Sequence, residues 1–368
     1  MPPLGLSARM RKARELTGRT LSLARTKPRM VVPGARYPQR RHDAILVLQR
    51  GPNASTDYYL RPRLDPSVRC EIVEIQSSPG RCGLLSPDGP QALLVILCRY
   101  ASAPWLDALS AVRGRLARVA FFMDDDLPEM MRDPELPLTT RGKVARHFGE
   151  HVDRLSGLAS ELWVSTPVLA ERYAMAHPVV VEPLPEADPP EPSPSPPRRV
   201  VYHGGDVHGR ERRFVADVAR LLQDIDPAIE VEMAGGAALR SDLKGRPNIT
   251  VTPETPWPVF LDRQRGAKAA IALAPLVACA VNQARAPVKV FDAARLGAAG
   301  IYVQAPPFSS FVRDGVDGLL LPMEPRAWAG AIVELMDQPE RRLALAHAAR
   351  KRLVELRREA HAFPPPPA

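Results

Sequence analysis

The sequence predicts an α/β protein made of two Rossmann-like domains in tandem. Short β-branched or apolar runs alternate with longer amphipathic stretches along the whole chain. Those runs are apolar on both faces, the pattern of parallel strands covered by helices above and below. A Pro-rich segment, with nine prolines in the twenty residues 178–197, divides the chain; so many missing N–H donors exclude a helix or central strand there. At ~100–200 residues per domain, 368 residues give room for two. The 45% apolar and 25% charged residues supply core formers for both. No fixed repeat period is present, which argues against a solenoid.

In order, the chain reads as a basic arm (1–42), a first domain (43–182), a Pro-rich linker (183–198), a second domain (199–338), a C-terminal helix (339–361) and a Pro-rich tail (362–368). The arm holds eleven Lys and Arg against one acid, Glu15, a net +10 in a chain of net +9, so residues 43–368 carry −1. The arm is expected to be disordered. Each Lys or Arg near an anionic membrane is worth ~1 kcal/mol, enough together for weak, salt-sensitive peripheral attachment. The arm lacks interleaved aromatics, so no nucleic-acid partner is expected.

Strands are expected at 43–49, 70–75, 92–98, 117–123 and 161–166, with a short one at 179–181 and helices at 104–116, 141–159 and 167–176. The second domain has strands at 199–204, 229–235, 248–252, 269–276, 300–304 and 318–322, then helices at 325–337 and 339–360, the last opened by Pro339 in its first turn. Cys70, Cys82, Cys98 and Cys279 show no CxxC spacing, which fits reduced thiols and no metal site. The longest nearly apolar run, 269–281, is interrupted by Pro275 and falls short of the ~20 residues that span a bilayer. The N-terminus lacks the apolar core of a secretory signal. A cytoplasmic location, with the arm at the inner membrane face, follows as the expectation.

Ligands of open α/β sheets bind beyond the carboxyl ends of the strands. After the strand at 199–204 come Gly204 and Gly205, then a helix from near Gly209. Such glycines let a phosphate approach backbone N–H groups at a helix start, and they equally suit an ordinary strand-to-helix turn. No GxGxxG or GxxxxGK[ST] occurs, which disfavours a dehydrogenase or P-loop ATPase. In the segment from Ala274 to Gln304, Pro287 opens a helix of about three turns that ends near Gly297 and Gly300. Lys289 and Asp292 lie three apart on one face of it, with Asn282 and Arg285 entering from the loop before. Two cations, an amide and a carboxylate suit a diphosphate joined to a hydroxylated ring: Arg285 and Lys289 for the phosphates, Asp292 for ribose hydroxyls. A plain surface Lys–Asp pair is the competing reading. His203 and His208 flank the glycine turn, and His208 is a candidate diphosphate contact. Trp257 is expected to pack a loop on the core.

The pattern N-x2-R-x3-K-x2-D-AA-x-LGAAGIYV, with Gly204, Gly205, the AGG at 234–236, Gly315 and Gly318 in the same order, resembles the donor-site region of retaining "group 1" glycosyltransferases. The resemblance covers residues 200–350. It implies the GT-B architecture, two Rossmann-like domains facing each other, with a nucleoside diphosphate sugar as donor. That family carries two glutamates with seven residues between them; here Asp292 takes the second place and Ala284 the first. The resemblance is fainter over ARVAFFMDDDLPEM and LASELWVSTPVLAERY, which are similar to the acceptor-side domain of some bacterial members. Asp124 and Asp125 are the acceptor-side candidates there, while Asp126 with Glu129 reads as a helix capping box.

The function expected is therefore transfer of a sugar from a nucleoside diphosphate donor to an unidentified acceptor (glycan, lipid-linked or small molecule). Arg285 and Lys289 would stabilise the leaving diphosphate, and Gly204, Gly205, Asn282, Asp292 and His208 would hold the donor. No cofactor is expected and no divalent metal is required, since basic side chains neutralise the diphosphate. The alternative is a non-catalytic sugar-nucleotide-binding or assembly protein of the same fold, which Ala284 favours.

Overall fold

The computed structural model describes residues 6–38, 40–359 and 363, and the chain divides into two units, the first ending at Glu182 and the second beginning at Pro183. The expectations for residues 1–5 and, Phe363 apart, for the Pro-rich tail lie outside the described residues.

In the first unit the apolar runs become β1 (Ala44–Gln49), β2 (Arg69–Glu74), β3 (Leu93–Cys98), β4 (Leu116–Met123), β5 (Glu161–Val164) and β6 (Val179–Val180), all parallel, in the order β2-β1-β3-β4-β5-β6. Every residue of β1, β3 and β4 is buried, because α2 (Ala103–Ala111), α3 (Leu127–Arg132), α4 (Leu138–His147), α5 (Val152–Leu158) and α6 (Pro167–Arg172) follow the strands and cover the sheet. The outermost β2 keeps half-exposed side chains. The chain steps from β1 to β2 on one side and returns to place β3 on the other. The crossover therefore reverses between β1 and β3, where such a sheet opens for ligands. Inside the sheet Arg118 and Glu161 form a buried two-pronged pair at 2.6 Å, and the Trp163 indole donates to the same carboxylate at 2.8 Å.

The arm corrects the sequence reading: it is not without structure. α1 (Leu6–Arg25) runs beside α4. Gly18 and Ser22 form the narrow side of α1, with Ser22 buried, and Thr26 continues it just past the helix end. A Cβ on Gly142 of α4 would come within 2.6 Å of the Arg19 carbonyl oxygen. Small residues on both helices let the backbones approach, and Arg14 and Arg25 stay exposed. Beyond α1, Gly34 N–H donates to Ser156 O at 2.9 Å and the Tyr37 hydroxyl to Leu158 O at 2.6 Å. Net charge marks the arm as solvated; the small-residue stripe is what docks it. Gly142→Val should unseat α1 at a cost of ~1–3 kcal/mol, read as a lower melting temperature and new tryptic cleavage between Arg14 and Arg25 while the rest of the unit stays resistant.

In the second unit β7 (Arg199–Tyr202), β8 (Glu230–Ala234), β9 (Ile249–Thr252), β10 (Ile271–Ala274), β11 (Ala299–Val303) and β12 (Leu319–Leu321) form another parallel sheet, ordered β12-β11-β10-β7-β8-β9. Its crossover reverses between β7 and β10. The helices are α7 (Gly209–Ile225), α8 (Ala237–Asp242), α9 (Trp257–Gln264), α10 (Ala280–Gln283), α11 (Lys289–Arg295), α12 (Pro325–Asp337) and α13 (Pro339–Arg358). The Pro-rich segment is extended, as expected, and lies on α13: Arg350 donates to Pro189 O at 2.9 Å and pairs with Glu191 at 2.8 Å. α11 has seven residues, about two turns instead of three: it starts at Lys289, two residues after Pro287, and stops at Arg295, with Gly297 just beyond in the left-handed region at φ +61°. Gly300 belongs to β11 and not to the helix end. A side chain on Gly300 would overlap the ring and hydroxyl of Tyr302, and one on Gly318 would come within 2.6 Å of the same ring. Both glycines make the berth for this buried tyrosine.

Candidate functional site

The loops that leave β7 and β10 meet at the reversal point of the second sheet. After β7 come His203, Gly204 and Gly205, a tight turn at Asp206–His208, and α7. Gly204 is required by the protein itself, since a Cβ there would collide with the Tyr202 hydroxyl and come within 3.0 Å of His208 Cβ. A Cβ on Gly205 would meet nothing within 4 Å. Of the two, Gly205 is the one that faces open space.

Lys289, at the start of α11, donates from Nζ to the His203 carbonyl and to Asp292 Oδ2, the latter at 3.0 Å. It ties the β7 loop to α11. The i,i+3 pair weighed in the sequence does form, and the other Asp292 oxygen takes Arg295 at 3.3 Å. Arg285 brings Nη1 within 2.8 Å of His208 Nε2. His208 Nδ1 faces Glu211 Oε2 at 3.6 Å. Glu211, in the first turn of α7 and 1% exposed, accepts the Val277 N–H at 2.9 Å and the Asn282 amide at 2.7 Å. Asn282 is buried and also donates to Val277 O at 2.8 Å. Both donors of its amide nitrogen are spent on the protein, so through that group Asn282 holds the loop.

Burial, with Arg285 beside it, lowers the His208 pKa to about 4, so the ring is neutral at pH 7. Its partners then assign the tautomer: Nε2 accepts from Arg285 and Nδ1 carries the proton toward Glu211. Burial alone would raise Glu211, but His208 and the Val277 N–H outweigh it and bring the pKa to about 2. In the first unit His147 is likewise lowered to about 4 by burial and by Arg50 and Arg146. A histidine whose folded pKa lies below its unfolded value binds fewer protons when folded. Its stability contribution is complete above ~6.5 and drains as pH falls toward 4. The melting temperature should therefore drop between pH 6.5 and 4, and scans of His147→Asn and His208→Asn should each show a shallower drop.

Over the carboxyl ends of β7, β8 and β9 lies a cavity of about 470 Å³ whose walls include His203, Gly205, Glu232, Trp257, Phe260 and Lys289. Trp257, expected to pack a loop on the core, is half-buried on this wall and stacks on Phe260 with centroids 5.3 Å apart. Phe260 meets the His203 ring edge-on at 5.2 Å. The arrangement gives an aromatic wall near a lysine ammonium.

In the first unit Asp124 and Asp125 follow β4 beside the reversal point. Arg99, just past β3 with φ +67°, sets its guanidinium 3.3 Å from Asp124 and 3.1 Å from Asp125. Ser55 donates to Asp124 at 2.7 Å. Asp126 caps α3 by accepting the Glu129 N–H at 3.0 Å, and also holds Arg172 and the Tyr173 hydroxyl. The cap expected from sequence is present, but Glu129 turns to Arg132 instead of reaching back. Among the described residues no three His, Cys, Asp or Glu side chains gather as a metal-binding group. Sequence reasoning missed Arg99 and Glu211. A lone Arg after an apolar run and a Glu in HGRERR carry no pattern, and only the fold brings their partners to them.

Comparison with solved structures shows which fold this is. Anabaena HepE in complex with UDP and glucose aligns over 86% of this chain and 95% of its own, at 14% identity and a TM-score of 0.54. Staphylococcus aureus TarM, as a variant in complex with fondaparinux, α-GlcNAc-glycerol and UDP, aligns over 72% of this chain and 52% of its own, at 11% identity and a TM-score of 0.51. The alignment thus spans about half the length of TarM and nearly all of HepE. The fold is GT-B, two Rossmann-like α/β units, as the resemblance in the second half implied. No protein-family model matches the chain. No curated protein matches it by sequence.

Proposed function

We propose that this chain is a glycosyltransferase that moves a sugar from a nucleoside diphosphate donor, bound by the second unit, to an acceptor bound by the first, with retention at the anomeric carbon. One observation carries the reading. Lys289 and the Arg285–His208 pair, set by Glu211, stand at the reversal point of the second sheet, next to a cavity with an aromatic wall. In the transfer the bond from the anomeric carbon to the diphosphate oxygen breaks as an acceptor hydroxyl bonds to that carbon. Negative charge grows on the leaving diphosphate, and prepositioned cations lower the barrier by meeting it there. Neutral His208 leaves Arg285 its full charge while fixing its direction. Asp292, whose two oxygens take Lys289 and Arg295, is the candidate for a ribose hydroxyl, and Asp124 and Asp125 with Arg99 are the acceptor-side candidates.

HepE and TarM were both crystallised with UDP, which supports UDP and UDP-sugars as the first ligands to try. The test is calorimetric titration with UDP-, GDP- and dTDP-sugars, followed by donor turnover across an acceptor panel. A donor-specific heat that vanishes in Lys289→Ala supports the site. The two cations are proposed to serve without a divalent metal, so turnover in EDTA should stay within about twofold of that in Mg²⁺; loss of most activity would overturn that part.

A second reading, a non-catalytic sugar-nucleotide-binding protein, has its own observation: Ala284, where the resembling family has a glutamate, is fully buried. Tight binding of a donor with no hydrolysis or transfer on any acceptor would select it.

A further inference from the structure

A group of cations in the first unit, beside the ends of β1 and β3 where that sheet's crossover reverses, takes no part in the diphosphate chemistry. Arg50 follows β1 directly. Its guanidinium and that of Arg19 on α1 reach the same oxygen, Glu15 Oε1, Arg50 at 3.9 Å. Glu15, Gly18 and Arg19 share one face of α1, at i, i+3 and i+4. Arg146, in the last turn of α4, lays its guanidinium on that face: a Cβ on Gly18 would lie 3.4 Å from its Nη1. Three guanidinia from three elements therefore converge where the arm's single acid stands. The neighbouring His147 registers all of them, since burial together with Arg50, Arg146 and Arg19 keeps its ring neutral at pH 7. That ring meets Tyr100, just past β3, edge-on at 6.1 Å, and Lys143 Nζ stands 5.9 Å from the Tyr100 centroid.

Four cations thus face one carboxylate, and most of their donors are unspent. Arg146 and Lys143 make no ion pair or side-chain hydrogen bond with any described residue. Arg50 has only its 3.9 Å contact, too long for a hydrogen bond. The Nε atoms of Arg19 and Arg50 and the Tyr100 hydroxyl are buried without a hydrogen-bond partner among the described residues. A cation in a last helical turn is ordinary, which accounts for Arg146 but not for Arg50 in a loop or Arg19 in mid-helix. Forked guanidinium donors without acceptors match the oxygens of a phosphate. Arg99 lies 5.5 Å from the same Tyr100 ring and holds Asp124 and Asp125, so carboxylates that accept from hydroxyls border the cations.

We propose that this cluster binds the phosphate of a small phosphorylated polyol, with Arg19, Arg50 and Arg146 on the phosphate oxygens, Lys143 at the rim, and Glu15 as the internal carboxylate that the phosphate displaces. The inference concerns binding alone and stands whether or not the second unit transfers a sugar.

The test is calorimetric titration of the full chain at low salt with glycerol 3-phosphate, glycerol and inorganic phosphate. Glycerol 3-phosphate is expected to bind at least as tightly as inorganic phosphate, and glycerol not at all. Arg50→Ala/Arg146→Ala should weaken the ester roughly a hundredfold, about tenfold per charge-assisted contact. Glu15→Gln should tighten it several-fold, because the competing anion is gone; a carboxylate that merely braces α1 gives no gain. Melting curves check that each variant is folded, and should the double variant unfold, Arg50→Gln and the opposite shift in Glu15→Gln carry the test. Ester binding that is unchanged in the double variant, or that is lost in Lys289→Ala instead, places the anion elsewhere and overturns the proposal. Binding of inorganic phosphate without the ester, or affinity unchanged or lowered in Glu15→Gln, overturns it as well.

Discussion

Lys289→Ala is expected to weaken binding of a nucleoside diphosphate by roughly tenfold to a hundredfold, and Arg285→Ala by a similar factor. A hydrogen bond to a charged group contributes ~1.5–3 kcal/mol, and each ~1.4 kcal/mol is tenfold. The larger loss should appear in turnover, because charge on the diphosphate is greatest as it leaves. Folding should suffer less than turnover in either case. Lys289 is partly exposed, and removing it gives up one hydrogen bond to the His203 carbonyl and one ion pair, together ~1–3 kcal/mol after partial solvent screening. Lys289→Arg separates the two jobs, since it keeps the cation but cannot repeat the lysine's reach to both His203 and Asp292. Calorimetric titration with UDP, paired with a melting curve for each variant, checks the set. Near-normal affinity in both alanine variants removes the donor-site assignment. A collapse of the melting temperature with no separate binding defect would reduce Lys289 to a structural tie.

The two sheets were legible in the sequence because buried parallel strands must be apolar on both faces, and runs such as LLVILC and LARVAFFM admit few other readings. Strand order was not legible, since no residue in β7 or β10 advertises its neighbour. The helix tip at α11 was legible as a collection of charges but not as a geometry. It is only two turns long, so cations, more than the dipole of aligned peptides, must carry its electrostatics. The glycines of the second half were legible as a pattern and misleading as to cause. Gly204, Gly300 and Gly318 accommodate Tyr202 and Tyr302, so the ordered glycine set reports packing as much as ligand approach. α1 was hidden by its own composition: a count of arginines says nothing about where they point, and the stripe that docks the helix is made of Gly, Ser and Thr. Ala284, by contrast, was visible at once as a departure from the family pattern, and it is fully buried.

Glu211→Ala should be the most damaging single change in the second unit, costing ~3–5 kcal/mol. The carboxylate is 1% exposed and collects the Val277 N–H, the Asn282 amide and the proton-bearing side of His208. Its removal leaves three buried donors facing a void, and each unsatisfied group carries its own desolvation penalty. Glu211→Gln fills the same volume with one remaining carbonyl acceptor, so it should recover much of the stability. The same variant offers a second readout that a purely structural role would not produce. Without the anion, nothing holds the His208 proton on Nδ1, and the ring is no longer fixed with Nε2 toward Arg285. Glu211→Gln should then fold nearly normally yet bind UDP several-fold more weakly, while Lys289 remains intact in the same protein. Melting curves and titrations on the two variants test both halves. Equal, normal UDP affinity in Glu211→Gln and the unaltered chain would show that the buried relay braces the loop without aiming Arg285.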